Sequence, residues 1–93
     1  MLIAWTTVAE RADAEKLARD IVERRLAACV QIDGPIVAHY FWEGRLERTE
    51  EFRLCLKFLP EQQAALETWL FAHHPYDTPE WFVARAEQVG EKY

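Results

Sequence analysis

The stretch IVAHYFWEGRLERTEEFRLCLKF, from Ile36 to Phe58, decides the fold. Glu43-Gly44 divides it into two strand-like halves, and Gly44 tolerates the positive φ that a two-residue hairpin turn demands. In the returning half Phe52, Leu54, Leu56 and Phe58 alternate with Arg53, Cys55 and Lys57, the period of a strand with one covered face. The tip half, Arg45 to Glu51, is mostly charged. A strand from Arg45 to Phe58 runs roughly 46 Å at about 3.3 Å per residue, whereas a globule of 93 residues is on the order of 30–35 Å across. The hairpin must therefore bend or protrude. A protruding strand edge invites pairing, and the simplest cover is the same edge of another copy.

Upstream, Leu26 to Ile32 is a near-continuous apolar run followed by Asp33-Gly34-Pro35, the pattern of a buried strand ending in a turn or bulge. Before it, Ala14, Leu17, Ala18, Ile21 and Val22 follow the three-four spacing of one helix face from Asp13 to about Arg25. Leu2 to Thr7 reads as a first strand, and Thr7 with Glu10 has the spacing of a capping box. Downstream, Leu59-Pro60 opens a second helix whose stripe is Leu66, Trp69, Leu70 and His73, and Pro75 stops it. Glu80 to Val89 is the last strand candidate, closed by Gly90. The order βαββαβ, with right-handed crossovers, predicts one ferredoxin-like α+β domain over residues 1–93, a four-stranded antiparallel sheet with both helices on one face and a long protruding hairpin.

Composition narrows the function. With 51% hydrophobic and 29% charged residues the chain is built to fold, and at 93 residues oligomerisation is the expected supplement to a small core. Eleven Lys and Arg against 16 Asp and Glu give a net charge of -5, which opposes nucleic-acid binding. No uncharged stretch, Gly34 to Trp42 included, approaches the roughly 20 residues a membrane helix needs. The first residues lack the basic region and long apolar run of a signal peptide, so the expected compartment is the cytoplasm, with Cys29 and Cys55 as reduced, buried thiols. There is no Ser and no Asn, which removes the Ser-His-Asp triad, and the glycines at 34, 44 and 90 form no phosphate loop. The chain is not expected to be an enzyme.

Chemistry concentrates in His73-His74-Pro75-Tyr76-Asp77-Thr78-Pro79-Glu80, where two prolines stiffen the backbone around imidazole and carboxylate groups. Such groups suit a divalent transition ion, with Cys29, Cys55 or His39 joining if folding brings them close. Against this, no pair has the spacing of a preformed metal site, and His73 also serves to close the helix stripe. Trp5, Tyr40, Phe41 and Trp42 read as core or interface aromatics. Lys57, with Glu50 and Glu51 on the same strand, reads as part of a solvated or intersubunit charged face.

Three segments, Val22 to Val30, Tyr40 to Glu47 and His74 to Glu80, together resemble the CutA divalent cation tolerance family, in the correct order along nearly the whole chain. The resemblance implies a cytoplasmic homotrimer of ferredoxin-like subunits whose hairpins pair edge to edge and leave clefts between subunits. It also implies tolerance to divalent metals, copper in particular, with direct metal binding, and an architecture similar to the PII signalling trimers. Carried onto this chain, it places Trp42, Lys57, His74, Tyr76 and Glu80 in the intersubunit cleft, with His74 the best metal ligand and His73 and Cys29 the accompanying candidates. Thr6 stands where some members have a Cys that helps bind copper, and Asp77 where Glu is common; many members also continue beyond the position of Tyr93. Two further readings accompany this one: a signalling trimer whose clefts take a small anionic ligand on Lys57 and Arg45 and pass the state to a protein partner, and a purely structural trimer.

Overall fold

A computed structural model describes residues 1–93. In chain order the elements are β1 (Leu2–Val8), α1 (Arg11–Glu23), β2 (Cys29–Trp42), β3 (Arg45–Phe58), a 3-10 turn at Pro60–Gln62 leading into α2 (Gln63–His73), and β4 (Phe82–Arg85). The strands form one antiparallel sheet in the order β2-β3-β1-β4, the ferredoxin-like arrangement.

One residue in two along β1 and β3 builds the core. Leu2, Ala4 and Val8 join Leu54, Leu56 and Phe58 on one side of the sheet, where Ala14, Leu17 and Ile21 of α1 and Leu66 and Leu70 of α2 pack onto them. Both helices therefore cover the same face. Leu54, Leu56 and Phe58 are fully buried, and each side chain withdrawn from water contributes about 1.5–3 kcal/mol.

Local signals join the helices. Past α1, Arg25 adopts φ 58, while the Arg25 N–H donates to the Val22 carbonyl and the Leu26 N–H to the Ile21 carbonyl, both at 3.0 Å. This is the bond pair of a Schellman motif, with arginine where glycine is usual. Gln62 accepts from the Leu59 N–H at 2.8 Å and donates to the Arg25 carbonyl at 2.9 Å, tying the start of α2 to the end of α1.

The hairpin protrudes: the molecule measures 45 × 26 × 21 Å, and its long dimension matches the run of β3. Glu43 and Gly44 have φ 51 and 78, so both central residues of the turn take the left-handed conformation that fits the strand twist. At the tip Phe41, Trp42 and Leu46 are 75%, 62% and 67% exposed. Halfway along, Asp33 pairs with Arg53 but the next pair is Ile36 with Glu51, so β2 carries one extra residue. Before this bulge Val30 and Ile32 oppose Leu56 and Leu54 on the helix side; after it Ile36, Ala38, Tyr40 and Trp42 oppose Glu51, Thr49, Glu47 and Arg45 on the other side. Gly34, at φ 147, is required there, since a Cβ would lie 2.6 Å from Phe52 Cδ1 and 3.0 Å from the Glu51 carbonyl oxygen. Arg11 holds the bulge from α1, its guanidinium 4.7 Å from the Phe52 ring centre and its Nη2 donating to the Gly34 carbonyl at 3.4 Å.

Four expectations change. Thr7 stays in β1, paired with Arg53, and helix α1 starts after Glu10 without a side-chain cap, because the ladder holds Thr7 beyond the strand end that the capping box needs. The run from Leu26 to Ile32 is no buried strand: β2 starts at Cys29 and lies at the sheet edge, where one face and one edge stay open, and Cys29 is only partly buried. Val22, expected on the apolar face of α1, is 41% exposed. The last strand is four residues, not the span from Glu80 to Val89: Phe82–Arg85 pair with Trp5–Leu2, and beyond Arg85 the ladder has reached the start of β1.

Candidate functional site

The segment after α2 is fixed at both ends. The His74 N–H donates to the Leu70 carbonyl at 2.8 Å, and the chain then leaves the helix in an extended conformation. At the far end the Trp81 indole N–H donates to Glu67 Oε2 at 2.9 Å, an oxygen that also accepts from Gln63 Nε2 at 3.1 Å. The Trp81 ring stands edge-on to Phe71, 6.0 Å between centroids.

His74, 8% exposed, turns inward. Its Nδ1 accepts from the Tyr76 N–H at 3.1 Å, which leaves the proton on Nε2, 3.0 Å from Thr6 Oγ1, for donation to that buried hydroxyl. Burial pushes the imidazole below its ordinary pKa, opposed by the nearby Thr7 backbone and by Asp13. A neutral ring with both nitrogens engaged shapes the turn from His74 to Tyr76, whose ring centroids lie 5.1 Å apart.

Tyr76 faces the hairpin across a cavity of about 550 Å³. Trp42 and Tyr40 line it from β2, Glu51 from β3, and Tyr76 and Glu80 from the segment after α2. A neighbouring concavity of about 390 Å³ shares Tyr40, Glu51 and Tyr76 and adds Glu50. No Lys or Arg lines either one. The Tyr76 phenol is pushed up first by burial and then by Glu51, Tyr40, Asp13 and Glu10, the sign of a negative neighbourhood. Such a wall attracts cations and repels anions. A larger concavity of about 680 Å³, between the end of α1 and the outer face of α2, is mainly apolar and lies apart from these groups.

Of the residues singled out in the sequence, Trp42, Tyr76 and Glu80 meet in the cavity, and His39 borders it. Lys57 does not: it sits opposite Ile3 and Cys29, with its ammonium 5.8 Å from the Tyr93 ring centre. It lies six positions along β3 from Glu51, roughly 20 Å at about 3.3 Å per residue. His74, His73 and Cys29 also lie apart. His73 is exposed on the outer side of α2, where Nδ1 donates to the Trp69 carbonyl at 2.8 Å and the ring stacks on Trp69 at 4.2 Å, while Cys29 starts the edge strand. No three His, Cys, Asp or Glu side chains are grouped so as to hold a metal ion. Glu51, read in the sequence as a neighbour of Lys57, belongs instead with Tyr76; Tyr40 and Trp42 share its face because they pair with Glu47 and Arg45, on the same side of β3 as Glu51.

Residues 2–93 match the family model of the CutA1 divalent ion tolerance protein. A divalent-cation tolerance protein CutA from Yersinia pestis (strain Pestoides F) is 38% identical over 92 residues, covering 99% of this chain and 77% of that protein. Among solved structures, CutA1 from Pyrococcus horikoshii superposes with a TM-score of 0.94 at 30% identity, over 100% of this chain and 90% of that one. CutA from Synechococcus elongatus PCC7942 superposes with a TM-score of 0.87 at 40% identity, over 91% and 75%. Sequence, sheet order and superposition agree, and the chain belongs to the CutA1 divalent ion tolerance family.

Proposed function

We propose that the chain acts as a non-enzymatic, cytoplasmic homotrimer that responds to divalent cations by binding them where the hairpin tip meets the segment from His74 to Glu80. The observation that carries this reading is the cavity between Trp42, Tyr76, Glu51 and Glu80, lined by carboxylates, aromatic rings and His39 without a Lys or Arg. Glu51 and Glu80 supply the charge, and Tyr76 a phenol oxygen. A second subunit's hairpin would close the open side, and the uncovered Phe41, Trp42 and Leu46 give it an apolar surface to pack on. Carboxylate and phenol oxygens suit a hard to borderline divalent ion. Copper(II) held by His74 would need the Nε2 bond to Thr6 to be given up, so His74 acts here by fixing the Tyr76 backbone.

Calorimetric titration with manganese(II), zinc(II) and copper(II), beside light scattering for the assembly mass, tests the reading. Saturable binding to a trimer that is lost in the Glu51→Gln/Glu80→Gln double variant supports it. Affinity unchanged in that variant, or lost only in His74→Ala, overturns the cavity assignment. A second reading, a signalling trimer that takes a small molecule and passes its state to a protein partner, is favoured by one observation: about 550 Å³ lies within the range of small-molecule sites. With Lys57 far from the cavity and acidic walls around it, that molecule would be cationic or neutral rather than anionic.

A further inference from the structure

The largest hollow of the chain lies away from the acidic cavity and has the opposite character. It measures about 680 Å³, within the range of small-molecule sites, and sits between the end of α1 and the outer face of α2. Ala65, Thr68, Trp69 and Ala72 follow one another at the three-four spacing of a single helix stripe, and Leu26 bounds the hollow from the end of α1. The short side chains leave a low apolar floor.

No Asp or Glu lines this hollow, in a chain of net charge -5. Its one guanidinium, Arg24, has no carboxylate partner: the ion pairs of the chain are Lys16 with Asp20, Arg48 with Glu50 and Arg53 with Asp33. Arg24 rests instead 5.5 Å from the centre of the Trp69 ring. No hydrogen bond ties that indole. Its Nε1 is buried without an acceptor, unlike that of Trp81, which donates to Glu67, and the His73 ring stacks on it at 4.2 Å. Asp13 and Asp20 line a separate hollow of about 140 Å³ that shares Trp69 and His73, where Lys16 stands 3.9 Å from Asp20.

An apolar floor beside one unpaired guanidinium selects a guest with an apolar body and a single anionic end. A guanidinium matches a carboxylate as one planar fork meets another, whereas a phosphate, with more charge and more acceptors, calls for further donors than one arginine. The flat floor and the rings of Trp69 and His73 favour a planar body. We propose that this hollow binds a small aryl monocarboxylate, its carboxylate on Arg24 and its ring over Ala65 and Ala72 beside Trp69. The site shares no residue with the acidic cavity and does not depend on cation binding there.

The test follows nitrogen–proton correlation spectra of the native assembly during titration with phenylpropionate, its neutral amide and phenylpropylamine, the Trp69 indole signal being identified from Trp69→Phe. The expected result is a saturable shift of that signal and of the Ala65 and Ala72 amides by phenylpropionate, with a dissociation constant on the order of 1 mM, and binding of the amide and the amine at least about 10-fold weaker. Arg24→Gln should weaken phenylpropionate about 10-fold and leave the amide unchanged, while Arg24→Lys restores part of the loss. Glu51→Gln/Glu80→Gln should change nothing, which keeps failure here distinct from failure of the cation reading. The three probes are compared on the wild-type chain, so the outcome does not depend on the variants folding. Absence of these shifts up to about 10 mM phenylpropionate, equal binding of the amide or the amine, or full affinity in Arg24→Gln would overturn the proposal. So would concentration-dependent shifts of the same signals without any probe, which would assign the hollow to another copy of the chain.

Discussion

Replacing His74 with Ala removes two hydrogen bonds, to Thr6 Oγ1 and from the Tyr76 N–H, from a side chain 8% exposed. Each bond is worth about 1 kcal/mol net, and stranding the buried Thr6 hydroxyl adds about 1 kcal/mol or more, so the variant should lose about 3 kcal/mol at about pH 7.5. The loss should itself depend on pH. The folded pKa of His74 lies below its unfolded value of about 6.5, so the unfolded chain binds the extra proton and stability rises with pH. The His74 contribution is therefore whole above about pH 6.5 and declines on acidification towards the folded pKa, by at most about 1.4 kcal/mol per pH unit. Guanidinium unfolding of both proteins at about pH 7.5, 6.5 and 5.5, at one fixed protomer concentration, reads the gap between them. His39, His73 and the carboxylates are common to both and largely cancel. The gap should narrow as pH falls; a gap that stays constant or widens would refute the neutral, doubly bonded imidazole.

Arg25→Gly should raise stability by about 1 kcal/mol in thermal unfolding, because φ 58 strains arginine and suits glycine while the Schellman bonds and the Gln62 contact use only backbone atoms. Gly34→Ala should lower stability by at least about 2 kcal/mol in the same assay, since its Cβ would meet Phe52 and the Glu51 backbone at a positive φ. Phe41→Ala together with Leu46→Ala, on residues 75% and 67% exposed, should weaken assembly without lowering the helix content; sedimentation of a protomer-sized species at low micromolar concentration, with unchanged circular dichroism, is the expected result.

Where one rule acts alone, the chain was legible. The alternation of Phe52 to Phe58 with Arg53 to Lys57 marks β3, and the three-four spacing of Ala14, Leu17 and Ile21 marks the buried face of α1, because burial on one side is all that those patterns encode. Where two rules compete, local sequence loses. Thr7 and Glu10 have the spacing of a cap, but pairing with Arg53 claims Thr7 for the sheet. Leu26 to Ile32 is apolar enough for a central strand, yet strand order puts it at an edge, and order is a property of the whole chain. The site divides similarly. Trp42, Tyr76 and Glu80 line one cavity of the chain, while Lys57 lies six positions along β3 from Glu51 and outside that cavity. The inward turn of His74 follows from its contact with Thr6, 68 residues away, which no local pattern records.

The extra residue in β2 is slack in an otherwise fixed ladder. β3 runs without a break, and Trp42 takes its side from Arg45 across the turn as Cys29 takes its own from Lys57 at the other end. Both halves of β2 therefore answer to one template, and the number of residues at positions 33–35 does not choose which side chains the hairpin presents. Removing one residue there would let Asp33 and Ile36 close into an unbroken ladder, with Tyr40 and Trp42 still on the cavity side and only the local bend and the Arg11 contact disturbed. The bulge is thus an expansion joint: it absorbs a change of length where it arises and passes none of it on to the tip.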